Sequence, residues 1–302
     1  MVDLKSQGLK KPCLVMRSDG GSLYATRDLA ACDDRFATYH FDRFLYEVDL
    51  GQSLHFQEWF AVARLLGRPY AEGLRHVGHG LVLMWNEESQ SWEKTATRKG
   101  VPMMLMDVLE EAITRAKAVI AEKNPDLPAE EATAVAKAIG VGAVVFNDLK
   151  NARQGNIKFR FDEALRFDGE TGPYLQYAHA RLASIGRRGS SLGAPSACSA
   201  SKVDASKLTL PEEKNVLLSL ARLSSALERV VDEDAPHHLS TALLDLAGFI
   251  SVWLSAGNQD QANKVLCDDL VVREARLELA RIARTALAKG LNLLGLGAPE
   301  RM

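Results

Sequence analysis

From Asp107 onward, apolar residues return at helical spacing in one segment after another. DVLEEAITRAKAVIAEKN reads as a helix closed by Pro125, and PAEEATAVAKAIGVGAVVFNDLK as a second, with small residues where something packs closely. NIKFRFDEAL is short and extended. A third helix, GPYLQYAHARLASIGRR, starts at Thr171-Gly172-Pro173; a proline early in the first turn is favourable because its missing N–H has no partner there. PEEKNVLLSLARLSSALERVV, HHLSTALLDLAGFISVWLS and REARLELARIARTALAKGLNLLG follow, after a flexible Ser/Ala/Gly-rich connection over 189–207. So many amphipathic helices in a row bury their apolar faces most simply as a helical bundle.

The first hundred residues carry a different rhythm. KPCLVMRS, FDRFLYEVDL and HVGHGLVLMW read as strands, and SLYATRDLAACDDRF and HFQEWFAVARLLG as helices between them. EESQSWEKTATRKG reads as a polar loop. Strand alternating with helix predicts a partial Rossmann-like parallel sheet, so the expected class is α/β followed by an all-α bundle.

The formal net charge of −2 announces no polyanionic partner, so any nucleic acid must bind a local patch. Cys13, Cys32, Cys198 and Cys267 have no metal-ligand or Cys-x-x-Cys spacing, so no metal site is expected. Isolated thiols, no signal-peptide core in MVDLKSQGLKK and no apolar run near bilayer length predict a cytoplasmic protein without membrane contact.

SDGGSLYATRDLA, GQSLHF, HVGHGLVL, EKTATRKG, VGAVVFNDLKNARQGNIKF, DGETGPYLQYAHARLASI and LNLLGLGAPERM occur in this order. Together they resemble arginyl-tRNA synthetase, a class I aminoacyl-tRNA synthetase, in its C-terminal portion. The resemblance divides the chain into 1–149, a remnant of the catalytic domain including the ATP-loop region, and 150–302, a helical anticodon-binding domain. The family's tRNA D-loop domain and its ATP-binding His-Ile-Gly-His box are expected to precede residue 1.

His76-Val77-Gly78-His79 spells that box but reads as a decoy. Leu81 to Trp85 continue a strand, where an ATP-binding box needs a helix N-terminus facing the phosphates. Lys94 also follows too closely to lie across a doubly wound sheet.

The resemblance implies that Tyr24, Asp28 and Gln52 hold the substrate arginine. The chemistry agrees: a planar, permanently charged guanidinium wants a carboxylate and further acceptors. The bland alternative pairs Asp28 with Arg27 or a surface lysine and buries Tyr24. Lys94 and Lys99 are implied as the catalytic lysines of the second ATP loop, neutralising pyrophosphate. There Thr95 and Ala96 stand where the family has Met and Ser. His55 and His79 fall at the implied ATP site, His79 in place of the family's phenylalanine.

Tyr174, Gln176, Tyr177 and Arg181 are implied to bind tRNA, since aromatics interleaved with arginine suit stacking on unpaired bases. Lys150, Arg153, Lys158, Arg160, Arg187 and Arg188 extend a candidate basic band. The resemblance thus implies ATP, arginine and a tRNA, the arginine acceptor, as ligands. An N-terminal-half protein or a second copy is expected to cover the open sheet edge. The rival readings are a non-catalytic tRNA-binding or regulatory paralogue and an incomplete gene product.

Overall fold

The computed structural model describes residues 1–86, 89–94, 104–192 and 203–302. They form two compact units, one of residues 1–81 with 153–156 and one of 82–152 with 157–302.

The first unit contains α1 (Tyr24–Tyr39), β1 (Phe44–Asp49), α2 (Ser53–Leu65) and β2 (Leu74–His79). β1 and β2 pair in parallel, from Phe44 opposite Leu74 to Asp49 opposite His79. Phe56, Trp59 and Phe60 on α2 are buried with Cys32 of α1 and Tyr70, and Tyr46 of β1 packs among them. KPCLVMRS, expected as a strand, makes only isolated bridges, Val2 with Cys13 and Met16 with Ser22. Its backbone is engaged elsewhere: Thr26 donates its hydroxyl to the Val15 carbonyl, and Arg17 closes a turn with Gly21.

HVGHGLVLMW, expected as one strand, is two. β2 ends at His79, and β3 (Val82–Asn86) belongs to the second unit. Gly80 causes the break. Its N–H donates to Arg153 O at 2.7 Å, and a Cβ there would meet Gly155 O at 2.2 Å. Only glycine lets the 153–156 segment lie against this point.

The second unit holds β3, β4 (Ser91–Lys94), α3 (Leu105–Lys123), α4 (Ala129–Leu149), β5 (Ile157–Phe159), α5 (Phe161–Ala164), α6 (Gly172–Ser191), α7 (Pro211–Glu233), α8 (His237–Gln259) and α9 (Leu270–Leu293). β3 is the centre of a three-stranded sheet, parallel to β5 and antiparallel to β4. β4 lies within the stretch expected to be a polar loop. Trp85 and Trp92 face each other across the β3–β4 pair, and such cross-strand aromatic pairs stabilise a short hairpin.

The small residues of α4 serve close packing as their spacing predicts: a Cβ on Gly140 would lie 2.6 Å from Ile113 N of α3. Thr171 caps α6, accepting from Tyr174 N at 3.2 Å, with Pro173 in the first turn. The bundle core is formed by Phe146, Leu175, Leu182, Leu243, Leu246, Ile250, Trp253 and Leu287, each at most 1% exposed. Beside it Arg276 and Glu213, 4% and 0% exposed at their side chains, form a 2.6 Å ion pair.

α4 and α8 are each long and apolar enough to cross a membrane, with mean hydropathies of 1.4 and 1.6. Neither is an unbroken apolar run: Glu130, Glu131, Lys137 and Asp148 interrupt α4, and Asp245 lies within α8. In the fold Ile139, Phe146, Leu243 and Ile250 are core residues, and core helices pass the same test.

Candidate functional site

In the first unit, Tyr24 opens α1 and Asp28 follows one turn later. Gln52 directly precedes α2, and His55 is in the first turn of that helix. Asp28 Oδ2 lies 2.6 Å from His55 Nε2, which joins the N-terminal parts of the two helices. Arg27 takes a different partner, its Nε donating to Ser22 Oγ at 3.1 Å. The Asp28–His55 pair was not foreseen: both residues carry a functional signal, but nothing in their spacing links them. Its consequence is chemical. The imidazole holds one of the two carboxylate oxygens, Oδ2. Asp28 is 37% exposed at its side chain, Tyr24 is 77% exposed and Gln52 is exposed.

His76 and His79 both lie on β2. His76 stacks on Phe56 at 4.4 Å and bonds the Val48 carbonyl through Nε2, while His79 Nδ1 donates to Gly80 O at 2.8 Å. These contacts place His76-Val77-Gly78-His79 in a strand with no helix start behind it.

In the second unit, Lys94 is exposed at the end of β4. Lys99 lies outside the described residues, with Thr95 and Ala96. Along α6, Tyr177 is 42% exposed with the Arg181 guanidinium 5.7 Å from its ring centroid. Tyr174 is half-buried against the bundle core, and burial pushes its hydroxyl pKa above the usual value. Gln176, expected to face RNA, points inward. It is 0% exposed, and its amide donates to Ala138 O at 2.9 Å and Gly297 O at 2.8 Å. No base reaches a side chain so placed, and its work is to tie the last residues to α4 and α6. His179 assists, donating from Nδ1 to Pro299 O at 3.0 Å.

A cavity of about 320 Å³ opens beside α6, and Arg181, Arg188 and Lys264 line it with Asn258, Asn263 and Trp253. Among the described residues, its lining includes no carboxylate. Trp253 Nε1 is buried with no hydrogen-bond partner among the described residues. Three cations, two amides and an indole make a site for an anion attached to a flat, polar ring system. Sequence reading found Arg181 and Arg188 but missed the wall formed by Asn258, Asn263 and Lys264, which lies far along the chain.

Residues 1–161 match the model of the tRNA synthetases class I (R) catalytic domain. The chain belongs to the class I arginyl-tRNA synthetase family. Residues 175–302 match the DALR anticodon binding domain. The chain is 38% identical to Arginine--tRNA ligase 1 of Bacillus cereus and 40% identical to Arginine--tRNA ligase of Exiguobacterium sibiricum, in each case over 100% of this chain and 50% of the relative. The arginyl-tRNA synthetase of Thermus thermophilus superposes with a TM-score of 0.81 at 31% identity, over 98% of this chain and 52% of that one. The chain thus spans about half the length of the curated relatives it matches, and corresponds to the C-terminal portion of the arginyl-tRNA synthetases.

Enzymes of this class use ATP. His55 Nε2 is committed to Asp28 and His79 Nδ1 to Gly80, and Lys94 is exposed. Among the described residues, no cluster of three or more His, Cys, Asp or Glu is placed to hold a metal ion.

Proposed function

We propose that this chain contributes the arginine-recognising wall and the tRNA-binding helices of an arginyl-tRNA synthetase. Residues 1–149 serve as the catalytic-domain part and 150–302 as the tRNA-binding part. Asp28 Oδ1, with His55 holding the other oxygen, accepts the guanidinium, and Tyr24 and Gln52 flank it. Arginine meets a preset carboxylate there, which favours it over neutral analogues of the same length.

The observation that carries the RNA reading is the cation-lined cavity beside α6, carboxylate-free among the described residues. A phosphate sits against Arg181, Arg188 and Lys264, and an unpaired anticodon base meets the amides or the Tyr177 ring. Tyr174 supports the helix from beneath. Aminoacylation with ATP is proposed only for a site completed by the remaining half of the sheet, whichever chain supplies it. There Lys94 and Lys99 neutralise the leaving pyrophosphate and His79 borders the nucleotide. The cytoplasm is the proposed location.

The deciding experiment is binding of the chain to arginine-acceptor tRNA at two salt concentrations, beside a copy with an altered anticodon. The expected result is tighter binding of the native anticodon, weakened by Arg181→Gln. Equal and strongly salt-dependent binding of both would reduce the interaction to nonspecific phosphate contact and overturn the reading.

A further inference from the structure

The sheet of the second unit has two unlike faces. Met84 and Phe159 stand opposite each other in register and pack in the core with Val108 and Ala143. The same register sets Trp85 opposite Trp92, and Leu83 opposite both Lys94 and Lys158. Side chains alternate along each strand, so these five residues share the other face, and Arg160 continues it just beyond β5.

The two indoles meet edge to face, with centroids 5.4 Å apart. Lys158 Nζ is 5.3 Å from the Trp92 ring centroid, and Arg160 Cζ is 5.6 Å from that of Trp85. Both rings are half-buried, while Lys94 and Lys158 are exposed. None of the strand residues on this face is acidic. Glu93 belongs to the opposite face, bonded to Asn86, Ser89 and Ser91. Glu163 approaches Arg160 at 3.6 Å from α5.

We propose that this face is a second RNA-binding surface, on which unpaired nucleotides stack against Trp85 and Trp92 while Lys94, Lys158 and Arg160 neutralise the adjoining phosphates. The inference goes beyond the α6 cavity and rests on the tRNA reading only for the choice of RNA among polyanions. Cation–π contacts at the surface are weak, and the long Lys and Arg stems swing aside without disturbing the sheet. A base then covers the ring and its phosphate meets the displaced cation. An acidic polypeptide would engage the cations and leave the indoles unused. An anionic lipid surface would need a broader apolar rim than Leu83 provides.

The four tryptophans of the chain make the test direct. Trp59 and Trp253 are each 1% exposed, and because Trp253 lines the α6 cavity, quenching is assigned to Trp85 and Trp92 by its loss in the Trp85→Leu/Trp92→Leu variant. The full chain is titrated with an unpaired oligouridylate, with duplex RNA of equal length, and with phosphatidylserine vesicles. The proposal expects quenching by the unpaired strand alone. It expects the Trp85→Leu/Trp92→Leu double variant to bind that strand about tenfold or more weakly. Lys158→Gln and Arg160→Gln, which keep both indoles, should each lower the salt-dependence slope by about 0.7. If the double leucine variant fails to fold, these two variants decide.

Absence of quenching, equal quenching by the duplex, quenching by vesicles in preference to RNA, or unchanged slopes would overturn the proposal. Arg181→Gln separates this surface from the α6 cavity. Loss of anticodon stem-loop binding in that variant, with no quenching by unpaired RNA, sinks only the sheet surface. Quenching together with stem-loop binding that ignores Arg181 sinks only the cavity reading.

Discussion

Asp28 Oδ2 and His55 Nε2 are 2.6 Å apart, although 27 residues separate them in the chain. A carboxylate anchored through one oxygen presents the other in a fixed direction, which is what a planar guanidinium needs. Arginine at a hundredfold excess over its Kd should therefore protect the chain against thermal unfolding by about 2.7 kcal/mol. Asp28→Ala should abolish this protection. His55→Ala should weaken arginine binding by a smaller factor, about tenfold, through loss of one positioning hydrogen bond. Undiminished protection in Asp28→Ala would remove Asp28 from the site.

The buried Arg276–Glu213 pair predicts an asymmetric response to mutation. Arg276 also donates to the carbonyls of Ala262 and Lys264, and Glu213 accepts from Leu210 N. Removing Arg276 alone strands a buried carboxylate, so Arg276→Leu should cost about 3–5 kcal/mol in urea unfolding. Arg276→Leu/Glu213→Leu should recover part of that loss. A double variant as unstable as the single one would show that the carbonyl contacts matter more than the charge.

His179 makes stability depend on pH. Burial holds its pKa below the ordinary 6.5, against the opposing effects of Pro299 O and Glu300. Its lowered pKa means that the unfolded state binds the proton more readily than the folded state. The contribution is present above pH 6.5 and is lost as pH falls from there towards the folded pKa. Hydrogen exchange at residues 297–302 should accelerate over that window. His179→Gln should flatten this dependence, and an unchanged profile in the variant would point to another group.

Two glycines should respond in opposite directions to alanine. Gly80→Ala drives a methyl into Gly155 O and should lower the melting temperature, with loss of the 153–156 contact. Gly248 lies within α8, and nothing stands within 4 Å of the place a methyl would occupy, so Gly248→Ala should stabilise by about 0.5–1 kcal/mol. A destabilised Gly248→Ala would contradict the open space around that residue.

The helices were legible because an amphipathic stripe repeats within a single segment, so α6, α7, α8 and α9 could be read one at a time. Strands were harder. SWEK is too short and polar to announce itself, and it is a strand only because Trp92 finds Trp85 across a hairpin. HVGHGLVLMW carries strand character throughout, but its division at Gly80 depends on the distant 153–156 segment.

The amino-acid sequence by itself determined the family, the succession of strands and helices, and the identity of the groups proposed to meet arginine and RNA, because motifs and periodicity are local properties. Tertiary structure decided which of those groups are usable. It turned Gln176 inward to the Ala138 and Gly297 carbonyls, tied Asp28 to His55, and brought Lys264 beside Arg181 in one cavity. Each outcome depends on partners distant in the chain. Burial and hydrogen bonding act on distances in space, which residue spacing does not encode.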